Sequence, residues 1–199
     1  MTKQELIEFV RQTIMAGEIT SEKDKYLHPQ RVQYFIASAF NTIYYNTFKK
    51  DPKELDLYAK NYKAEILYNS ERNIYYSDLP KPIVQFPDGG GIRKIGTLQG
   101  TKVEFVPTNV VESDIVSNTI LSMVVKEIGY IQTNNKIEYR NFDPYLQIKE
   151  VFISMVVPFN DLDKGEWVQI PSGKDLELID IVKQLIMQRQ ISDKQNDNA

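Results

Sequence analysis

The sequence predicts an α+β fold: helices first, then a mostly antiparallel β region, then one closing helix. Two observations carry this. Apolar residues recur at helical spacing through the first third and near the end, while short β-branched and aromatic runs between Pro and Gly fill the middle. The chain has 199 residues, 42% of them apolar and 26% charged, ordinary for a globular protein with a sizeable core.

The elements follow in order. Thr2 and Glu5 form a T-x-x-E capping box, which satisfies orphan N–H donors at a helix start. Leu6, Phe9, Val10 and Ile14 then share one face, and Gly17 is the stop. After the polar connection "TSEKDKYLHP", Pro29 opens a second helix, with Val32, Phe35, Ile36, Ala39, Phe40 and Ile43 as its apolar stripe ending near Lys49. Asp51, Pro52 and Glu54 read as the start of a third helix, with Leu55, Tyr58, Tyr62 and Ile66 on its buried side.

After Asn69 the pattern changes. "NIYYSDL", "IVQF", "GIRKIGTL" and "KVEFV" read as strands, and "IGYIQTNNKIEYRNF" as a hairpin turning at Asn134–Asn135. In that hairpin Ile128, Tyr130, Ile137 and Tyr139 alternate with polar neighbours. "ESDIVSNTILS" is a loop or short helix, "LQIKEVFISMVV" a long strand and "EWVQI" another. Ser172 and Asp175 open the last helix, with Leu176, Ile179, Val182, Leu185 and Ile186 inward. "ISDKQNDNA" lacks apolar content and reads as a disordered tail. The expected division is a helical region over 1–71, a β-rich region over 72–171, a helix over 172–190 and a tail over 191–199, all in one structural domain.

Composition narrows the function. Net charge is −3 and the pI about 5.3, which argues against a surface built to hold nucleic-acid phosphates. With no cysteine, disulfides, zinc–thiolate sites and thiol catalysis are excluded. Glu5 and Glu8 interrupt what a signal peptide would need as an apolar core, and no window has the length of apolar residues a membrane span requires, so a soluble protein without a membrane partner is expected.

The stretch "FPDGGGIRKIG" is the nearest thing to a chemical motif. A Walker-type loop needs Lys and Ser/Thr directly after its last glycine, but Thr97 and Leu98 follow Gly96, and Lys94 lies inside the loop. G-x-G-x-x-G fails as well, because Lys94 occupies the third glycine position of the Gly89 register. The plain reading is a turn whose glycines meet positive φ; the sharper one is an interaction finger made by Asp88, Gly89, Gly90, Gly91 and Arg93. His28 is the sole histidine and, standing before Pro29, marks a helix boundary; it cannot form a histidine pair for catalysis or metal within one chain. Asp161, Asp163 and Glu166 fall short of an EF-hand loop and read as a solvated turn. No catalytic, cofactor or metal site is therefore assigned. Tyrosines crowd the region between the second helix and the first strand. Beyond what the core needs, Tyr44, Tyr45, Tyr58 and Tyr62 are candidates for a subunit interface.

Taken with a helical first third and a polar tail, the stretches "SDLPKPIVQFPDGGGIRKIG" and "VPFNDLDKGEWVQIPSGKDLELIDIVKQLIMQR" resemble the head-to-tail connector (adaptor, or ring) proteins of tailed bacteriophages, in style those of the crAss-like group. The ending from Ile170 to Ile186 carries most of the likeness. The resemblance implies a non-enzymatic virion protein made in the host cytoplasm. Its subunits form a ring, usually dodecameric, that docks on the portal at the head–tail junction, meets other tail or ring proteins, and extends the channel through which double-stranded DNA passes without specific binding. Two other classes stand beside it: an enzyme binding phosphate or nucleotide through the Gly89–Gly91 loop, and a β-rich module for single-stranded nucleic acid.

Overall fold

A computed structural model describes residues 1–17, 26–87, 90–97, 103–108 and 127–197. The fold is α+β and divides into two compact units. The helical unit joins Met1–Tyr58 to Val157–Ala199, and the β unit is Ala59–Val156. "ESDIVSNTILS" lies outside the described residues.

In the helical unit, α1 spans Lys3–Gly17 and α2 spans Pro29–Lys50. The capping box forms in full: the Thr2 amide donates to Glu5 Oε2 at 2.8 Å, and the Glu5 amide donates to Thr2 Oγ1 at 3.3 Å. Thr2's backbone bond holds the Glu5 carboxyl below its ordinary range. Leu6 and Val10 are buried as expected, but Phe9 is turned outward. Pro29 opens α2 behind His28, whose side chain makes no cap bond, and the expected stripe of six apolar residues is buried throughout. Phe40 stacks on Phe159 with ring centroids 5.3 Å apart.

The expected third helix is a correction. Asp51 does cap, accepting the Lys53 amide at 2.9 Å, and Pro52 does lead, but only a 3-10 helix over Pro52–Leu57 forms. Tyr62 belongs instead to β1 (Lys60–Glu65), and Ile66 follows its end. Tyr58, Tyr62 and Ile66 are four residues apart, which fits a helix face and a strand face equally, since every multiple of four is a multiple of two. Pairing with a six-residue partner strand decides it.

The closing helix, α3, spans Lys174–Asp197 and corrects the sequence reading twice. Leu176 is 67% exposed, and the inward face is Leu178, Ile179, Val182 and Ile186. The helix also runs on through Ile191–Asp197, where a disordered tail was expected. Asp193 supplies the reason: its carboxylate accepts the Tyr26 hydroxyl at 2.7 Å and pairs with Arg189 one turn back at 3.3 Å. "EWVQI" is not a strand either; Trp167 makes an isolated bridge to Thr2. That bridge ties the chain start to the 164–168 segment, with the Lys3 amide donating to the Glu166 carbonyl and the Val168 amide to Met1. Beneath it Lys3 is buried, and Nζ donates to the carbonyls of Asn160 at 2.9 Å and Leu162 at 2.7 Å.

The β unit starts earlier than the expected boundary at 72. After β1 come β2 (Leu67–Asn69), β3 (Ile74–Asp78), β4 (Ile92–Thr97), β5 (Glu104–Pro107), β6 (Glu127–Thr133), β7 (Lys136–Arg140) and β8 (Glu150–Met155). They form two sheets, in the orders β1-β8-β4 and β2-β3-β7-β6-β5, antiparallel except where β5 runs parallel to β6. The chain passes from one sheet to the other at Ile66, whose amide donates to Lys149. The bend is held from the other side by Ser77, whose buried hydroxyl donates to the Glu65 carbonyl at 2.7 Å and accepts from Tyr139 at 2.9 Å. Every member of that buried chain is satisfied, the condition for polar groups inside a core. The β6–β7 hairpin turns at Asn134 with φ 52°, and its four alternating residues are buried as the sequence predicts. "IVQF" joins no ladder among the described residues, yet Ile83 and Phe86 are buried and the Val84 amide donates to Val156.

Candidate interaction surfaces

The glycine stretch is a packed bend at its described end. Asp88 and Gly89 lie outside the described residues. Gly90 accepts from Arg93 Nη1 through its carbonyl at 3.2 Å, drawing the half-exposed arginine back along the strand. Gly91 is buried under the 83–84 segment. A Cβ there would stand 2.3 Å from the Val84 carbonyl oxygen and 3.1 Å from Ile83 Cδ1. Its own carbonyl accepts the Val156 amide at 2.9 Å. At Gly91 glycine is required by close approach of backbone, and positive φ is not the reason. Strand β4 follows at once, so no helix N-terminus stands there to receive a phosphate, and Lys94 projects from β4 into solvent.

The four candidate tyrosines separate by neighbourhood. Tyr44 and Tyr58 meet edge to face in the helical core, centroids 5.4 Å apart, and burial raises both phenol pKa values. They are core residues. Tyr45, one position along α2, points outward and carries Lys49 Nζ over its ring at 4.4 Å. Tyr62 is half-exposed on β1, with Lys60 Nζ 5.7 Å from its ring. Other tyrosines of the crowd join an aromatic file in the five-stranded sheet, Tyr68 to Tyr75 at 4.8 Å and Tyr75 to Phe142 at 4.6 Å. Beside that file Glu138 is buried and held by Arg72 at 2.7 Å and Arg140 at 3.6 Å, an ion cluster that fixes the β2–β3 turn over β7.

Sequence reasoning missed the most exposed apolar groups. Tyr145 is 91% exposed at the tip of a 3-10 turn (Pro144–Leu146) between β7 and β8. The turn is held by local bonds: Asp143 Oδ1 accepts the Tyr145 amide at 2.9 Å, and Gln147 closes it in the left-handed region at φ 54°. The signal was "DPYLQ", an aspartate–proline turn opener followed directly by two large apolar residues. On the helical unit, Tyr34 (65%), Leu176 and Met187 (56%) stand outward. A folded protein exposes much apolar area, so single residues carry little, whereas repeated placement on one helix face is informative.

Asp163 and Glu166 close on each other, the Asp163 amide donating to Glu166 Oε2 at 3.0 Å, as a solvated turn does. Among the described residues no three His, Cys, Asp or Glu side chains are grouped to hold a metal ion, and no helix is long and apolar enough to cross a membrane. No protein-family model matches this chain, and no curated protein matches it either.

Proposed function

We propose that this chain is a structural subunit that works by docking to other proteins, as a ring-forming head-to-tail connector of a tailed-phage virion. The reading joins the sequence resemblance to one structural observation: large apolar side chains are repeatedly displayed outward from hydrogen-bonded elements, on two helix faces and on the Tyr145 turn. In this reading the helices supply contacts to neighbouring copies and to the portal, and the loops of the β unit meet the next ring. The mild acidity suits a wall past which DNA slides, because a surface that bound phosphates would retain it. The packed bend at Gly91 and the strand directly after it favour the structural role of the glycine stretch over phosphate capture.

Mass photometry with and without the portal protein tests this. The purified chain is expected to be largely monomeric, and to join the portal in fixed symmetric stoichiometry, because each contact is heterologous and the portal supplies the template that closes the ring. A stable dimer indifferent to portal, with hydrolase activity or tight binding of single strands, would overturn the proposal.

A further inference from the structure

We infer that the outward faces of α2 and α3 are the two halves of one heterologous contact, α2 of one copy lying antiparallel on α3 of the next. The inference rests on the assembly reading and names the surfaces that would perform it.

Each helix carries a core face and, turned away from it, a stripe with two exposed large apolar side chains. In α2 the core side is Val32, Ile36 and Ile43; at about 100° per residue, Tyr34 and Tyr45 point the other way. In α3 the core side is Leu178, Ile179, Val182 and Ile186, and Leu176 and Met187 lie roughly 105–125° round the helix from its centre. The two helices pack on one another inside the unit, so each stripe faces away from the core they share.

The stripes match. Tyr34 and Tyr45 are eleven residues apart, and so are Leu176 and Met187 (34 to 45, 176 to 187). Eleven residues is close to three turns, about 16 Å along a helix, so both anchors of one stripe meet both anchors of the other in a single register. Run antiparallel, that register sets Tyr45 against Leu176 and Tyr34 against Met187. Between them exposed Asn41 falls opposite exposed Asp180, an amide donor facing a carboxylate.

Charge selects the antiparallel direction. The last turn of α2 is basic, with Lys49 and Lys50, and the first turn of α3 is net acidic, with Asp175 beside a Glu177 that Lys174 already pairs. Antiparallel docking brings these ends together and opposes the helix dipoles, whereas parallel docking would set both C-terminal ends side by side. Because the two stripes are different surfaces, a docked copy still offers one free stripe of each kind. Such a contact propagates, and it closes where a template fixes the rotation.

The absence of cysteine makes the test clean. Asn41→Cys and Asp180→Cys are made separately, both at exposed helix positions, and oxidised at high protein concentration with and without portal. The mixture of the two is expected to give a disulfide-linked dimer roughly tenfold faster than either variant alone, since docking raises the local thiol concentration. The double variant is expected to give a ladder of covalent multimers on a non-reducing gel. Dimers from either single variant at the mixture's rate would overturn the inference, because they would show like faces meeting. So would a mixture that does not cross-link under either condition. Failure to cross-link with portal recruitment intact would remove these faces and leave the assembly reading standing. Cross-linking without any recruitment would do the reverse.

Discussion

Substituting Gly91 by alanine tests the claim that the glycine stretch serves packing. The added methyl would sit 2.3 Å from the Val84 carbonyl oxygen, against ordinary contact at about 3.4 Å, so roughly 1 Å of backbone displacement is required. Val84 and Gly91 are each bonded to Val156, through the Val84 amide and the Gly91 carbonyl, both at 2.9 Å, so movement strains two buried bonds together. Overpacking of a well-filled site costs about 1–3 kcal/mol, and weakening two backbone bonds keeps the expected loss at the upper end of that range. Two companion variants calibrate it. At Gly96 the methyl meets the Phe152 ring edge at 2.4 Å, a side chain that can swing, so a smaller loss is expected; at Gly165 nothing lies within 4 Å, so the change should stay within about 0.5 kcal/mol. Urea unfolding of the three variants gives the ranking. Gly91→Ala as stable as Gly165→Ala would refute the packing argument and reopen the loop to a binding role.

Three further perturbations have defined outcomes. Burial pushes the Tyr139 phenol up to about 12 from 10.0, so its contribution is fully present below pH 10 and lost as pH rises through about 12. The unfolding free energy measured by urea titration across that window should fall, by up to about 1.4 kcal/mol per pH unit for one such tyrosine, and Tyr139→Phe should flatten the decline. Lys3→Ala strips the donor from the Asn160 and Leu162 carbonyls and should cost about 2–3 kcal/mol in urea unfolding; a loss below about 0.5 kcal/mol would show that water replaces the ammonium freely. Asp193→Ala should speed amide hydrogen exchange through the last turns of α3, since both the Tyr26 hydroxyl and Arg189 lose their acceptor; unchanged exchange would mean that the helix end is held by other means.

The parts of the fold that declared themselves early are those with a local cause. The Thr2–Glu5 capping box, Pro29 at the head of α2, and the Asn134–Asn135 hairpin each act within a few residues. The parts that did not are settled by partners distant in sequence. Whether Tyr62 sat on a helix or a strand depended on β8, and whether Ile191 and its neighbours were helical depended in part on Tyr26, 167 residues before Asp193. The same limit governed the interaction residues. Tyrosine crowding marked Tyr44, Tyr45, Tyr58 and Tyr62, but only burial separates the core pair Tyr44 and Tyr58 from the outward Tyr45. Tyr145 escaped because "DPYLQ" marks a turn carrying large apolar residues, but composition does not say whether they fold inward or stand free.

The helical unit is assembled from the two ends of the chain, with the whole β unit threaded between Tyr58 and Val157. Lys3 finds its acceptor carbonyl 159 residues away at Leu162, and Phe40 stacks on Phe159. During synthesis, α1 and α2 leave the ribosome long before the residues that complete their core. Every described strand of the β unit, which is contiguous in sequence, pairs within that unit, so its partners are all translated while the final helix is still being made. Closure of the helical unit is then the terminal event of folding, and its timing is set by translation of the last quarter of the chain. A chain ending before Phe159, tethered to the ribosome through an unstructured linker long enough to clear the exit tunnel, should carry a protease-resistant β unit joined to protease-sensitive helices, and restoring the remaining residues should convert the second to the first.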